Sequence, residues 1–152
     1  MENKEYFIIR PFKTEDVVEV RGIMEKSGLD PWSIESLEEV GSPVSLTQGF
    51  CAEMDNKVIG FVIYWIMFDD TQIFDVAVAE EYRRQGVATA LIEAVRKKAW
   101  ESGASRLLLE VRQSNEGARS FYKLFGFAEQ GISKNHYSFP REDAILMEKI
   151  IV

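Results

Sequence analysis

The sequence predicts a mixed α/β domain, a mostly antiparallel sheet with helices on its faces. Three observations predict it. Apolar residues recur along all 152 positions, 46% hydrophobic and 12% aromatic against 28% charged, enough for one continuous core and too much for a disordered chain. The apolar pattern alternates between strand-like and helical spacing in the order strand, two helices, three-strand meander, helix, strand, helix, strand. No repeat, low-complexity tract or shift in composition interrupts that order, so residues 1–152 read as a single domain.

Residues 6–10 are a short β-rich run closed by Pro11. Thr14, followed by Glu15 and Asp16, has the character of an N-cap for a helix that runs to about Ser27 and stops at Gly28. Asp30-Pro31-Trp32-Ser33 forces a turn, and Ser33 caps a second helix over 34–40 that ends at Gly41. Residues 49–54 and 58–68 are strands joined through Asp55-Asn56-Lys57, which is hairpin chemistry, so they pair antiparallel. A turn at Asp69-Asp70 leads to a third strand over 73–78. Val87, Leu91, Ala94, Val95 and Trp100 then fall on one helical face while Glu93, Arg96 and Lys97 point outward, and Gly103 stops that helix. Residues 107–111 form an apolar strand apart from Glu110; a helix from about Asn115 ends at Gly126, and the tail over 143–150 is a last strand.

Composition excludes several chemistries. The longest apolar run, 58–68, is broken by Gly60 and is far short of the roughly 20 residues that span a bilayer. The opening MENKEYFIIRPF lacks the pattern of a secretion signal, so a cytoplasmic protein without membrane attachment is expected. Eighteen Lys plus Arg against 25 Asp plus Glu give a net charge of −7, which offers no basic stripe for nucleic acid and favours a cationic peptide or amine as partner. Cys51 is the only cysteine and His136 the only histidine. No internal disulfide can form, a Cys/His metal site lacks ligands, and any Ser-His or Cys-His catalysis would have to pass through His136. No metal is expected. Cys51 reads as a core residue, and His136 as a residue of a polar surface or acceptor-lining loop.

The most informative stretch is the strand-to-helix junction that ends in Arg83, Arg84, Gln85, Gly86, Val87, Ala88 and Thr89. The first N–H groups of a helix lack intrahelical partners and favour negative charge, while Gly86 and Ala88 leave the backbone open to close approach. The spacing is neither a Rossmann nor a P-loop pattern. A diphosphate-bearing ligand of another kind fits it; so does an ordinary solvated turn, and spacing alone leaves both open.

Arg-x-x-Gly-x-Ala after a strand resembles the acetyl-CoA signature of the GCN5-related N-acetyltransferases (GNAT). The likeness continues through Leu109-Glu-Val-Arg-Gln-Ser-Asn115, Ala118, Tyr122, Gly126-Phe127, Tyr137, Pro140-Arg-Glu-Asp-Ala144 and Met147. Together with Pro31-Trp32-Ser33, these residues resemble the bacterial ribosomal-protein-alanine N-acetyltransferases (RimI-like) in order and spacing. The resemblance implies a GNAT fold, with a sheet splayed between its fourth and fifth strands. It also implies acetyl-CoA as cosubstrate, with backbone groups of Val76, Ala77 and Val78 at the acetyl carbonyl and pantetheine, Arg83 to Thr89 at the pyrophosphate, and Asn115 at the pantetheine. Asn115 is equally a preferred N-cap and can serve both purposes.

Glu110 is a carboxylate between apolar neighbours, costly if buried unpaired. Facing a cleft, it is fitted to accept a proton from an attacking amine, directly or through a water; a salt-bridged edge residue is the alternative. The resemblance implies the role of base for Glu110. Spacing alone puts Tyr122 in the core with Ala118 and Phe125, whereas the resemblance makes it the acid that reprotonates the CoA thiolate. Trp32 and Tyr137 are implied along the acceptor groove, with His136-Tyr137-Ser138 lacking a second adjacent tyrosine found in relatives. The implied reaction is acetyl transfer to a protein N-terminal α-amine, the alanine of a ribosomal protein foremost. A GNAT enzyme acting on a small amine or a lysine side chain and a non-catalytic acyl-CoA sensor are the alternatives.

Overall fold

The computed structural model describes residues 6–151. The first five residues of the stretch read for a secretion signal lie outside them. No helix among the described residues is long and apolar enough to cross a membrane. Seven strands hydrogen-bond in the order β1-β2-β3-β4-β5-β7-β6. Contacts gather the chain into two compact units: the described residues through Trp65 with Asp75–Lys98, and Ile66–Phe74 with residues 99–151.

In the first unit, β1 (Ile8–Pro11) pairs antiparallel with β2 (Thr47–Met54), and β2 with β3 (Lys57–Met67). The expected hairpin closes on two residues, Asp55 and Asn56, both at positive φ (51° and 60°), and Lys57, read from the sequence as part of the connection, is the first residue of β3, paired with Met54. Helices α1 (Val17–Lys26) and α2 (Ile34–Val40) cover a core that includes Val20, Met24, Leu37, Cys51, Phe61 and Ile63. Ser33 caps α2 as expected, accepting the Ser36 N–H at 3.1 Å. Thr14 is not the cap of α1: Thr14–Asp16 is a 3-10 turn and Asp16 holds the N-cap position. The Asp16 carboxylate takes the Lys13 N–H at 2.7 Å and the Arg10 guanidinium at 2.7 and 2.8 Å, which draws the chain into that tighter turn.

The end of β4 (Asp70–Val78), residues 75–78, belongs to the first unit, as does most of α3 (Val87–Glu101). Val87, Leu91, Ile92, Val95 and Ala99 are the buried face of α3. Trp100 is not part of it and is 60% exposed, because five residues beyond Val95 a helix has turned about 140° from that face.

In the second unit, β4 starts in parallel beside β5 (Arg106–Arg112), from Asp70 opposite Arg106 through Gln72 opposite Leu108. β5 pairs antiparallel with β7 (Arg141–Ile150), and β7 with β6 (Ala128–Ser138). β6 corrects the expectation of a polar loop around His136. Its side chains are mostly exposed, so it carries no apolar alternation to betray a strand, and the register shifts between Ser133 and Tyr137 at Asn135, whose φ is 54°. α4 (Glu116–Leu124) starts at Asn115, whose side chain accepts the Ala118 N–H at 3.1 Å.

Candidate active site

The first unit carries the strand-to-helix junction. Beyond Val78, the Ala79 N–H bonds to the Ile59 carbonyl at 2.8 Å and Glu80–Tyr82 form a 3-10 turn. Arg83 turns its guanidinium back on the junction, with Nε 3.0 Å from the Val78 carbonyl and the terminal nitrogen 3.4 Å from Ser27 Oγ. It braces the loop. Arg84 and Gly86 both take positive φ, 63° and 82°, so the backbone turns sharply just ahead of α3. The first bond within α3 is from Ala90 N–H to the Gly86 carbonyl at 3.0 Å, so the N–H groups of Val87, Ala88 and Thr89 precede the ladder. Nothing crowds the place where a Gly86 side chain would stand. Such a loop suits a diphosphate, held by backbone more than by side chains.

Gly60, in β3, determines how closely the junction sits. A Cβ there would lie 3.1 Å from the Ala77 carbonyl oxygen, 3.2 Å from Val87 Cγ1 and 3.3 Å from Leu91 Cδ1. The missing side chain lets the end of β4 and the start of α3 pack against β3. A glycine in the middle of an apolar strand is the sequence signal for such an approach.

At residue 75 the same strand carries a carboxylate between Phe74 and Val76. Asp75 Oδ2 accepts the Trp32 indole N–H at 2.7 Å, while Arg21 Nε holds the Trp32 carbonyl at 3.1 Å. Burial lifts the Asp75 carboxyl to about 6, with the indole bond opposing the lift and the charge of Asp30 adding to it. Trp32 is thereby fixed, its ring packed on the core of this unit. Sequence reasoning missed Asp75, although its setting gives the same signal that flagged Glu110.

The second unit carries the proposed acid and base. In β5, Leu107, Leu109 and Val111 are buried while Arg106, Leu108, Glu110 and Arg112 alternate onto a half-exposed face. Glu110 therefore does not sit in a continuously buried run, and period-two alternation is the reason. It is not salt-bridged: among the described residues no ion pair includes Glu110, which sits opposite Leu146 of β7, two residues past the last pairing of β5 with β4 at Leu108. Its Oε2 instead accepts the Gln72 side-chain amide at 2.8 Å. Gln72 was not singled out in the sequence, where a lone glutamine carries no pattern.

Tyr122 is buried on α4, its ring edge-on to Phe121 and Phe127 at 5.3 and 5.6 Å. Asn115 is the N-cap. Tyr137 lies on β6 with the Arg112 guanidinium 4.2 Å over its ring and His136 edge-on at 4.8 Å. Arg112 also donates to the carbonyls of Phe139 at 3.1 Å and Pro140 at 3.0 Å, which ties the β6–β7 turn to the end of β5.

Cys51 is a core residue, wholly buried in the first unit. Burial, then the charge of Asp16, pushes its thiol far above the ordinary range, so it offers no thiolate nucleophile. Among the described residues no group of His, Cys, Asp and Glu is assembled that could hold a metal ion.

The family model described as the acetyltransferase (GNAT) family matches residues 17–127. The chain belongs to that family. A Bacillus subtilis (strain 168) protein provisionally named as a ribosomal protein bS18-alanine N-acetyltransferase is 34% identical over 139 residues, covering 91% of this chain and 92% of that one. The ribosomal protein bS18-alanine N-acetyltransferase of Escherichia coli (strain K12) is 32% identical over 141 residues, covering 91% and 94%. The crystal structure of the ribosomal-protein-S18-alanine N-acetyltransferase from Escherichia coli superposes with a TM-score of 0.84 at 30% identity, over 96% of this chain and 94% of that one. The mixed α/β GNAT fold expected from the sequence is the fold of this chain.

Proposed function

We propose that this GNAT enzyme transfers acetyl from acetyl-CoA to the α-amine of a protein N-terminus, with the N-terminal alanine of a ribosomal protein as acceptor. The likeness to ribosomal-protein-alanine N-acetyltransferases across nine-tenths of both chains carries this reading. The whole chain acts as one domain in it, and the family match through residues 17–127 supports that, since it includes residues of both compact units. The reading places the protein in the cytoplasm, where ribosomal proteins are made.

The roles are those that the family resemblance implies for these residues. The loop from Arg83 to Thr89 would hold the pyrophosphate through its N–H groups, braced by Arg83, and Val76, Ala77 and Val78 would offer backbone partners to the acetyl carbonyl and pantetheine. Asn115, already engaged as N-cap through its side-chain oxygen, keeps its amide for the pantetheine. Glu110 takes the proton from the attacking amine. The Gln72 amide holds Oε2 and leaves Oε1 for that proton or for a bridging water. Tyr122 returns a proton to the departing thiolate. An α-amine, with a reference pKa of about 7.7 to 8.0, asks less of a carboxylate base than lysine at about 10.4. Trp32 and Tyr137 line the acceptor's path.

The test is mass spectrometry of an arginine-rich peptide that begins with alanine and contains one lysine, after incubation with acetyl-CoA. Acetyl on the terminal amine supports the reading; acetyl on the lysine, or on free polyamines alone, replaces it.

A further inference from the structure

Two aspartates of the first unit, one buried and one half-buried, are treated differently. Asp16, 4% exposed, is matched by the Arg10 guanidinium at 2.7 and 2.8 Å. Asp75, half-buried in β4, has no such match: among the described residues no lysine or arginine pairs with it, and its one hydrogen bond is the Trp32 indole on Oδ2. Among the described residues its Oδ1 has no hydrogen-bond partner. An indole N–H needs only a neutral acceptor, so a carboxamide would hold Trp32 equally well and the negative charge is surplus to that duty. A charge kept out of water without a counter-ion is unfavourable, and Asp30 nearby makes it more so. Such a group is expected where a ligand supplies the missing cation.

The position says which ligand. Asp75 directly precedes Val76, Ala77 and Val78, so along a strand rising about 3.3 Å per residue it stands within one to three residues of the backbone assigned to the acetyl carbonyl. Trp32, which pins it, is the residue assigned to the acceptor's path, and its own backbone is clamped by Arg21. We propose that Asp75, oriented by Trp32, is the anionic anchor for a cationic nitrogen of the acceptor peptide, bound through Oδ1. This rests on the proposed function for the nature of the acceptor, and on the structure for the anchor. The cation is either the terminal ammonium before it gives up its proton, or a basic side chain next to it. Both present N–H donors with positive charge to a fixed carboxylate oxygen.

Asp75→Asn tests the anchor, because it keeps an oxygen for the Trp32 indole and removes only the charge. Dissociation constants of two peptides, one beginning Ala-Arg and one beginning Ala-Ala, are measured by calorimetry on the CoA-saturated protein, with melting curves to confirm folding. Loss of a charge-assisted hydrogen bond weakens binding about tenfold or more. An equal loss with both peptides assigns the anchor to the terminal ammonium, and a loss with Ala-Arg alone assigns it to the side chain. Trp32→Phe, which frees the Asp75 carboxylate, weakens the same peptide by a smaller factor. Unchanged affinity of folded Asp75→Asn for both peptides overturns the proposal, as does absence of binding to the unaltered protein. Acetyl transfer is read separately: Asp75-dependent binding without transfer leaves the anchor standing and overturns the proposed function, whereas transfer and binding indifferent to Asp75→Asn do the reverse.

Discussion

Gly60→Ala presses on the backbone of the junction without removing any side chain assigned to chemistry. The added methyl would meet the Ala77 carbonyl oxygen at 3.1 Å, Val87 Cγ1 at 3.2 Å and Leu91 Cδ1 at 3.3 Å, so these neighbours must give by a few tenths of an ångström. Overpacking of this kind costs about 1–3 kcal/mol, and the lowered entropy of the unfolded chain returns about 0.4–1 of it. The net destabilisation is on the order of 1 kcal/mol, which for a chain of this size lowers Tm by roughly 2–4 °C. Function should suffer more selectively. The atoms displaced belong to β4 at Ala77 and to the first turn of α3 at Val87, the two sides of the loop assigned to acetyl-CoA. A misplacement of about 1 Å can cost a hundredfold in rate, so a few tenths should slow acetyl transfer about threefold. Melting curves and initial rates of CoA release from acetyl-CoA, each beside the unaltered protein, read both effects. A variant that melts no lower and turns over equally fast would refute the claim that Gly60 sets the closeness of this junction.

Arg10→Met should destabilise the protein by about 3 kcal/mol in urea unfolding, since it strands the Asp16 carboxylate in a buried site. Burial works to raise the Asp16 carboxyl, but the Arg10 and Lys13 hydrogen bonds hold it below the ordinary value of 3.8. The stability it contributes is therefore complete above that value and is lost as pH falls toward the folded one, so the unaltered protein should weaken more steeply below about pH 4 than Asp16→Asn; equal acid slopes would contradict this. Arg112→Leu removes the donors to the Phe139 and Pro140 carbonyls and the cation over Tyr137. It should raise the acceptor KM several-fold in steady-state assays while leaving the acetyl-CoA KM near its original value, and an effect on acetyl-CoA alone would count against the acceptor role of that hairpin.

Legibility in the sequence followed burial. The turn at Asp55-Asn56, the Ser33 and Asn115 caps and the α3 face from Val87 to Val95 were legible because local chemistry and the core demanded the same residues. β6 was not, since its side chains are mostly exposed and backbone pairing with β7 alone makes it a strand. The Thr14 cap failed because the Asp16 carboxylate is held by Arg10 on β1 and by the Lys13 N–H, a pairing that no capping pattern in the sequence marks. In the candidate site, spacing singled out the Arg83–Thr89 junction but left its ligand open, and Glu110 and Tyr122 drew their proposed roles from the resemblance that their surrounding motifs carry. Gln72, Arg112 and the Trp32–Asp75 bond were not, since each depends on a partner 25 or more residues away. Asp75 could have been flagged from its apolar neighbours; its partner could not.

Release of CoA thiol from acetyl-CoA tests the central claim most directly, measured with an alanine-starting, arginine-rich, lysine-containing peptide and with the same peptide blocked at its N-terminus. The account predicts release with the open peptide alone, and its loss in Glu110→Gln. Equal release from both peptides would contradict α-amine transfer in favour of lysine, and undiminished release by Glu110→Gln would contradict the base.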